Sequence, residues 1–100
     1  MKTTKTRKTA PPAVILKPII DYPQEGEIVG PFYALRVSAP EALVVHIAID
    51  QGPWLECRPA VGYWWFDWAP EESGEHEMIA CALFPDGRER VSEAALCFKA

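Results

Sequence analysis

The sequence predicts an all-β protein, an antiparallel β-sandwich of about seven strands. Short segments in which apolar and polar residues alternate recur along the chain, and β-branched and aromatic residues dominate them. Turn-forming proline, glycine and aspartate separate these segments about every 8–15 residues. No segment has the apolar spacing of a helix, so the 100 residues are expected to form one domain built from strands.

The first half of the chain contains five candidate strands. They are residues 14–16, 27–31, 32–38, 43–50 and 54–58. Pro18 confines the first of them to the edge of a sheet, because proline cannot donate a hydrogen bond to a neighbouring strand. In 32–38 and 43–50 the alternation directs every second side chain to one face, namely Tyr33, Leu35, Val37, Val45, Ile47 and Ile49.

The aromatic segment Gly62–Trp68 is the centre of the predicted sandwich. Because side chains alternate along a strand, one face carries Trp64, Phe66 and Trp68. The opposite face carries Tyr63, Trp65 and Asp67. We expect the first row to fill the core, since each buried aromatic ring removes roughly 150–250 Å² from water. The second row has no evident core to enter and is expected to be exposed.

The remaining strands are residues 75–84 and 89–99. Met78, Ala80 and Ala82 share one face of the first. Ala94, Leu96 and Phe98 alternate in the second. Between them, Pro85-Asp86-Gly87-Arg88 is the clearest hairpin turn in the chain.

The charge is distributed unevenly. Residues 1–17 carry five basic and no acidic side chains, whereas residues 18–100 carry five basic and all fourteen acidic ones, a net charge of −9. We therefore divide the chain into a flexible basic leader (1–13) and the sandwich domain (14–100). A basic terminal segment can contact phosphate or anionic lipid, or simply be solvated. The acidic body argues against nucleic acid as a partner.

No segment is long and apolar enough to span a membrane, and the N-terminus lacks the apolar core of a signal peptide. The chain as given is thus expected to be cytoplasmic, or extracellular if it was excised from a longer exported protein. Three cysteines, Cys57, Cys81 and Cys97, leave at least one unpaired and form no CxxC motif. Free buried thiols in a reducing compartment are the expected state.

Several motifs resemble those of bacterial Ig-like domains related to the fibronectin type III group. Residues 20–31 resemble the family's P-x-x-G-x-x-V-x-G segment, and residues 45–52 resemble its V-x-V-x-I-D-G strand and turn. Residues 74–82 are similar to G-x-H-x-L-x-A-x-A, and Pro85-Asp86-Gly87 stands at the last turn. The resemblance implies an Ig-like sandwich that acts as a spacer, adhesin repeat or accessory domain, without catalytic residues.

The outward aromatic side chains are the candidate ligand-binding residues: Trp54, Tyr63, Trp65, Asp67 and Gln51. Tryptophan and tyrosine are favoured at protein interfaces, so a contact with another protein or a neighbouring domain is the first hypothesis. The alternative is a carbohydrate-binding module that stacks sugars on Trp54, Tyr63 and Trp65. A purely architectural role, with Trp65 packed under a loop, also remains open.

No enzyme, metal site or cofactor is predicted. The serines lie in no nucleophile motif, and there is no glycine-rich phosphate loop. His46 and His76 could approach each other with Glu75 or Glu77, but the spacing matches no ligand pattern, and His76 is expected to be structural. The acidic loop near Glu71 and Glu72 lacks the spacing of a calcium loop and is expected to be solvated.

Overall fold

A computed structural model describes residues 17–100. The predicted leader and the predicted strand 14–16 lie outside these residues. Ten strands form in the described part of the chain: β1 (Ile19–Tyr22), β2 (Glu27–Val29), β3 (Tyr33–Ser38), β4 (Val44–Ile49), β5 (Trp54–Glu56), β6 (Arg58–Ala60), β7 (Tyr63–Trp68), β8 (Gly74–Leu83), β9 (Glu89–Val91) and β10 (Ala95–Lys99). No helix within residues 17–100 could cross a membrane.

The strands form two packed sheets, which confirms the predicted all-β sandwich. The smaller sheet has the order β1-β3-β7-β6. The larger sheet has the order β2-β10-β8-β4-β5, and β9 also pairs with β8. Every pairing is antiparallel except β2 with β10, which is parallel.

The core lies between the two sheets and contains the predicted aromatic row. Trp64, Phe66 and Trp68 pack against buried aliphatic side chains. Those with no exposed surface include Leu35, Val37, Val45, Ile47 and Met78. The facing predicted for β7 is therefore correct, because strict alternation leaves only one way to bury three large rings on one side.

In the last strand, the buried row is the one opposite Leu96 and Phe98. Ala95 and Cys97 are buried in the core, whereas Phe98 is exposed and Leu96 is half-buried. The three rings of β7 occupy much of the volume between the sheets, so the opposite layer contributes small side chains such as Ala80 and Ala82.

The predicted strand 54–58 is in fact two strands in different sheets. β5 pairs with β4 in the larger sheet, and β6 pairs with β7 in the smaller one. The chain crosses between them at Cys57, which is buried and donates its backbone N–H to Val45 O at 2.9 Å. A buried thiol behaves as a small apolar side chain, which suits this inward position.

Two of the hairpin turns show how local sequence fixes the ends of strands. At the predicted hairpin, Gly87 donates its N–H to Phe84 O at 2.9 Å and has a φ of 83°. At the β6–β7 turn, Val61 and Gly62 have φ values of 47° and 83°. Glycine suits this conformation, but valine does not, because its branched Cβ crowds the backbone at positive φ.

Candidate interaction surfaces

The candidate binding residues do not form one surface. Leu55 packs against the core, so its neighbours Trp54 and Glu56 point outward from the larger sheet. Tyr63 and Trp65 point outward from the smaller sheet on the opposite side of the sandwich. The predicted contiguous surface of Trp54, Tyr63 and Trp65 was therefore wrong. The sheet crossing at Cys57 separates Trp54 from the other two.

Gln51 lies at the tip of the β4–β5 hairpin and belongs to neither aromatic row. It has a φ of 61°, follows Asp50 with a φ of 54°, and is exposed. Gly52 donates its N–H to Ile49 O at 2.9 Å and closes this two-residue turn.

On the outer face of the smaller sheet, an arginine lies between two tyrosines. The Arg36 guanidinium carbon is 4.0 Å from the ring centre of Tyr63 and 4.8 Å from that of Tyr22. Tyr63 meets Trp65 edge to face, with ring centres 6.2 Å apart. The Trp65 indole N–H donates to Ala60 O at 2.9 Å. These side chains are thus already engaged with one another through cation–π and aromatic contacts.

The charges on this face are paired as well. Arg36 Nε lies 3.1 Å from Asp21 Oδ2, and Arg58 Nη2 lies 3.2 Å from Asp67 Oδ1. A register shift in β1 near Asp21 lets that carboxylate and the neighbouring Tyr22 both reach Arg36. A shallow hollow of about 250 Å³ beside Trp65 is lined by Glu56, Arg58, Trp65, Phe66 and Asp67.

The outer face of the larger sheet, here called the larger-sheet face, has a different character. Its strand register places Trp54 beside Ala48 and Ile79. The adjacent row of cross-strand neighbours runs from β5 through β4 and β8 to β9 and contains Glu56, His46, Cys81 and Val91. Trp54 and Val91 are 51% and 55% exposed. Between them lies a hollow of about 480 Å³ lined by His46, Trp54, Cys81, Glu89 and Val91.

The formal charges on the larger-sheet face are all negative. Its outward strand positions carry four glutamates, Glu56, Glu75, Glu77 and Glu89. No lysine or arginine occupies an outward position in the described strands of this sheet. The face therefore combines an apolar centre with acidic side chains that have no cationic partner within it. Trp54 was predicted from the sequence as a binding residue, but His46, Cys81 and Val91 were not, since only the cross-strand register brings them together.

The cysteine thiols are not activated. Burial, followed by the charge of Glu89, raises the pKa of Cys81. Burial raises the pKa of Cys57 to about 12. Nucleophilic cysteines in enzymes have a lowered pKa, for example beside a cationic side chain or a metal ion. All three cysteines are free thiols, and Cys81 is the half-buried one.

His76 has the structural role predicted for it. Its side chain is nearly buried, and Nδ1 lies 2.6 Å from Asp50 Oδ2 while Nε2 lies 2.7 Å from Glu72 O. His46 instead points outward from β4, so the two histidines do not converge. Within residues 17–100, no group of three or more potential ligands is arranged for a metal ion.

An exposed aromatic residue at the end of the smaller sheet was also missed. Phe32 borders a hollow of about 400 Å³ whose other lining residues are Tyr33, Ala34, Asp67, Trp68 and Ala69. The predicted strand 32–38 began at Phe32, whereas β3 begins at Tyr33, so Phe32 lies just before the strand.

No protein family and no curated protein matches the sequence. Several solved structures are similar in fold, and two of them are described here. Fibronectin(III)-like modules of Clostridium thermocellum CbhA align with a TM-score of 0.66 and 16% identity over 83% of this chain and 98% of theirs. An engineered protein aligns with a TM-score of 0.69 and 20% identity over 83% of this chain, which spans 20% of that protein. The chain thus has the fold of fibronectin(III)-like modules.

Proposed function

We propose that this chain is a non-catalytic module that contacts another protein or a neighbouring domain through the larger-sheet face. The observation that carries the proposal is the half-exposed Trp54 beside an apolar hollow with an acidic surround. Tryptophan supplies much of the binding free energy at many protein interfaces. Interfaces also commonly have an apolar centre and a polar rim.

The comparison between the two outer faces supports this choice of surface. On the smaller sheet, Arg36 and Arg58 already pair with carboxylates, and Arg36 covers the Tyr63 ring. On the larger-sheet face the glutamates have no cationic partner among the outward strand positions. A cationic partner would gain more electrostatic binding free energy on this face than on the smaller sheet, because it need not first break existing ion pairs.

The chemistry of the side chains supports a non-catalytic role. The thiol pKa values are raised, and both ring nitrogens of His76 are occupied by protein acceptors. General-base or nucleophilic catalysis requires such a group to be free to reach a substrate.

The proposal can be tested by photo-crosslinking in the cells that produce the protein. A photoreactive benzoylphenylalanine replaces Val91 on the larger-sheet face, and a matched variant carries it at the exposed Ala34 on the smaller sheet. We expect a protein adduct from position 91 and none from position 34. The purified partner should then bind at least about tenfold more weakly after Trp54→Ser, as for an interface hot spot. Equal adducts from both positions, or none, would contradict the proposal.

Carbohydrate binding is the second candidate, and the hollow beside Trp65 favours it. Its lining combines an aromatic ring with Arg58 and Asp67, which can hydrogen-bond to hydroxyl groups. However, a sugar stacking on Tyr63 would have to compete with Arg36 for that ring. An NMR titration with soluble polysaccharides distinguishes carbohydrate binding from protein contact. A selective shift of the Trp65 indole signal supports sugar binding, and Trp64 and Trp68 serve as internal references in the core.

A further inference from the structure

We infer that the hollow of the larger-sheet face is a pocket for an arginine side chain of the protein or domain that contacts this face. The inference rests on the proposed contact function and names the chemical group of the partner that enters the hollow. Three observations carry it: the apolar lining of the hollow, the unpaired carboxylate at its rim, and the way in which this protein holds its own arginines.

The lining of the hollow suits the stem of a long side chain. Cys81 lies between His46 and Val91 in one cross-strand row and is the smallest side chain of the lining, so it forms the floor. The half-exposed Trp54 and Val91 form apolar walls. The methylene groups of an arginine can lie on such a surface while the guanidinium stays at the polar rim.

Glu89 supplies a negative charge at the rim of the hollow. Burial first, and then the charge of Glu89, raises the pKa of the Cys81 thiol, so this carboxylate lies near the floor. None of the ion pairs within residues 17–100 includes Glu89. A guanidinium that enters the hollow would therefore form a charge-assisted hydrogen bond without displacing a cation of the described chain.

The outer face of the smaller sheet shows how this protein holds an arginine of its own. Arg36 Nε lies 3.1 Å from Asp21 Oδ2, which is an ion pair. The guanidinium carbon of the same residue lies 4.0 Å from the ring centre of Tyr63. An aromatic ring and a carboxylate together therefore position this guanidinium.

Arg90 repeats the arrangement at the β8–β9 hairpin. Its Nη2 lies 2.8 Å from Asp86 Oδ2, and its guanidinium carbon lies 5.3 Å from the ring centre of Phe84. The hollow offers the same two kinds of group, the Trp54 ring and the Glu89 carboxylate, without the arginine. Arginine fits better than lysine, because a planar guanidinium stacks on an aromatic ring and also hydrogen-bonds to a carboxylate.

The test is an NMR titration of the full chain with three capped tripeptides, in which two glycines flank an arginine, a citrulline or a lysine. Citrulline has nearly the shape of arginine but no charge. The reporters are the Trp54 indole and the Val91 amide, and the Trp65 indole is the control on the opposite face. Titrations at about 20 mM sodium chloride keep the screening of exposed charges weak. The variant is Glu89→Gln, and its matched control is Glu71→Gln, which removes the same charge from the exposed loop before β8.

We expect the arginine peptide to shift the Trp54 and Val91 signals in a saturable way and to leave Trp65 unchanged. The citrulline peptide should bind at least about fivefold more weakly, since it loses both the ion pair and the cation–π contact. The lysine peptide should also bind more weakly than the arginine peptide. Glu89→Gln should weaken binding of the arginine peptide about two- to fivefold, as for an exposed ion pair, and Glu71→Gln should not.

Three results would overturn the inference. They are the absence of a saturable shift with the arginine peptide, equal binding of the citrulline or lysine peptide, and equal effects of the two glutamine variants. None of them removes the proposed contact function, which the crosslinking from position 91 tests separately. Loss of the crosslinked adduct, in turn, would leave the arginine titration as an independent result.

Discussion

Asp50 and His76 are held together by a hydrogen bond of 2.6 Å between Oδ2 and Nδ1. The other ring nitrogen of His76 lies 2.7 Å from the backbone oxygen of Glu72. Both partners are acceptors, so only the doubly protonated imidazolium can donate to both. Trp68 packs edge to face on the same ring at 5.1 Å. The pair ties the β4–β5 turn to the start of β8 and to the loop before it.

Stability should therefore depend on pH through His76. The hydrogen bond to Asp50, followed by that to Glu72, raises the pKa of His76 above its ordinary 6.5. Because the folded state binds this proton more tightly, the stabilisation is fully present below about pH 6.5. It is lost as the pH rises through the raised folded-state pKa. Urea unfolding across this range should show a falling free energy of unfolding.

Asp50 should make the free energy of unfolding decline at low pH as well. Burial raises its pKa, but hydrogen bonds from the Glu77 N–H and from His76 outweigh burial and lower the pKa below 3.8. This contribution is present above about pH 3.8 and is lost as the pH falls. Asp50→Asn is the control, since asparagine tolerates the positive φ of this position. The variant should show a smaller decline above pH 6.5, since the hydrogen bond to Glu72 still raises the pKa of His76. An unchanged pH profile would contradict the assigned role of the pair.

Val61→Asn should stabilise the protein by about 1 kcal/mol. Valine is 84% exposed at this turn and has a φ of 47°, so it gains little from packing and is strained. Asparagine followed by Gly62 is the preferred sequence for a two-residue hairpin of this kind. Thermal unfolding is the measurement, and Gly62→Ala, at a φ of 83°, should destabilise. A less stable Val61→Asn variant would show that this valine makes a contact which compensates for its strain.

The two aromatic rows of β7 should respond differently to truncation. Trp64→Ala or Trp68→Ala removes a ring packed against the core and should cost about 3–5 kcal/mol. Trp65→Ala removes an outward ring and its hydrogen bond to Ala60, and should cost less. Chemical denaturation compares the three, with circular dichroism to confirm the native fold. The reverse order would show that the buried row had been misassigned.

Thiol labelling should distinguish the three cysteines. Cys57 and Cys97 are buried, whereas Cys81 is half-buried beside the hollow of the larger-sheet face. Under native conditions a thiol reagent should therefore modify Cys81 first, and slowly, because its pKa is raised. Cys81→Ser should abolish this first phase. Faster labelling of Cys57 would indicate that the crossing between β5 and β6 opens readily.

The strand pattern was predictable where alternation and turn chemistry act locally. Alternation separates Trp64, Phe66 and Trp68 from the opposite row of β7, and the β8–β9 hairpin follows from Pro85-Asp86-Gly87. In β10 the alternation was visible, but it did not show which row is buried. That depends on how much space the rings of β7 leave between the sheets.

The sequence by itself determined an all-β sandwich, the two opposite rows of the aromatic strand and the acidic character of the body, because these depend on side-chain type and on the geometry of single strands. Only the tertiary structure decided that Trp54 lies on the other outer face of the sandwich from Tyr63 and Trp65. It also placed Val91 and Cys81 on the same face as Trp54, and Asp50 within hydrogen-bond distance of His76. These relations depend on which strands become neighbours and on where the chain crosses between sheets. A long-range pairing is decided by packing of the whole domain, so short segments of sequence carry little information about it.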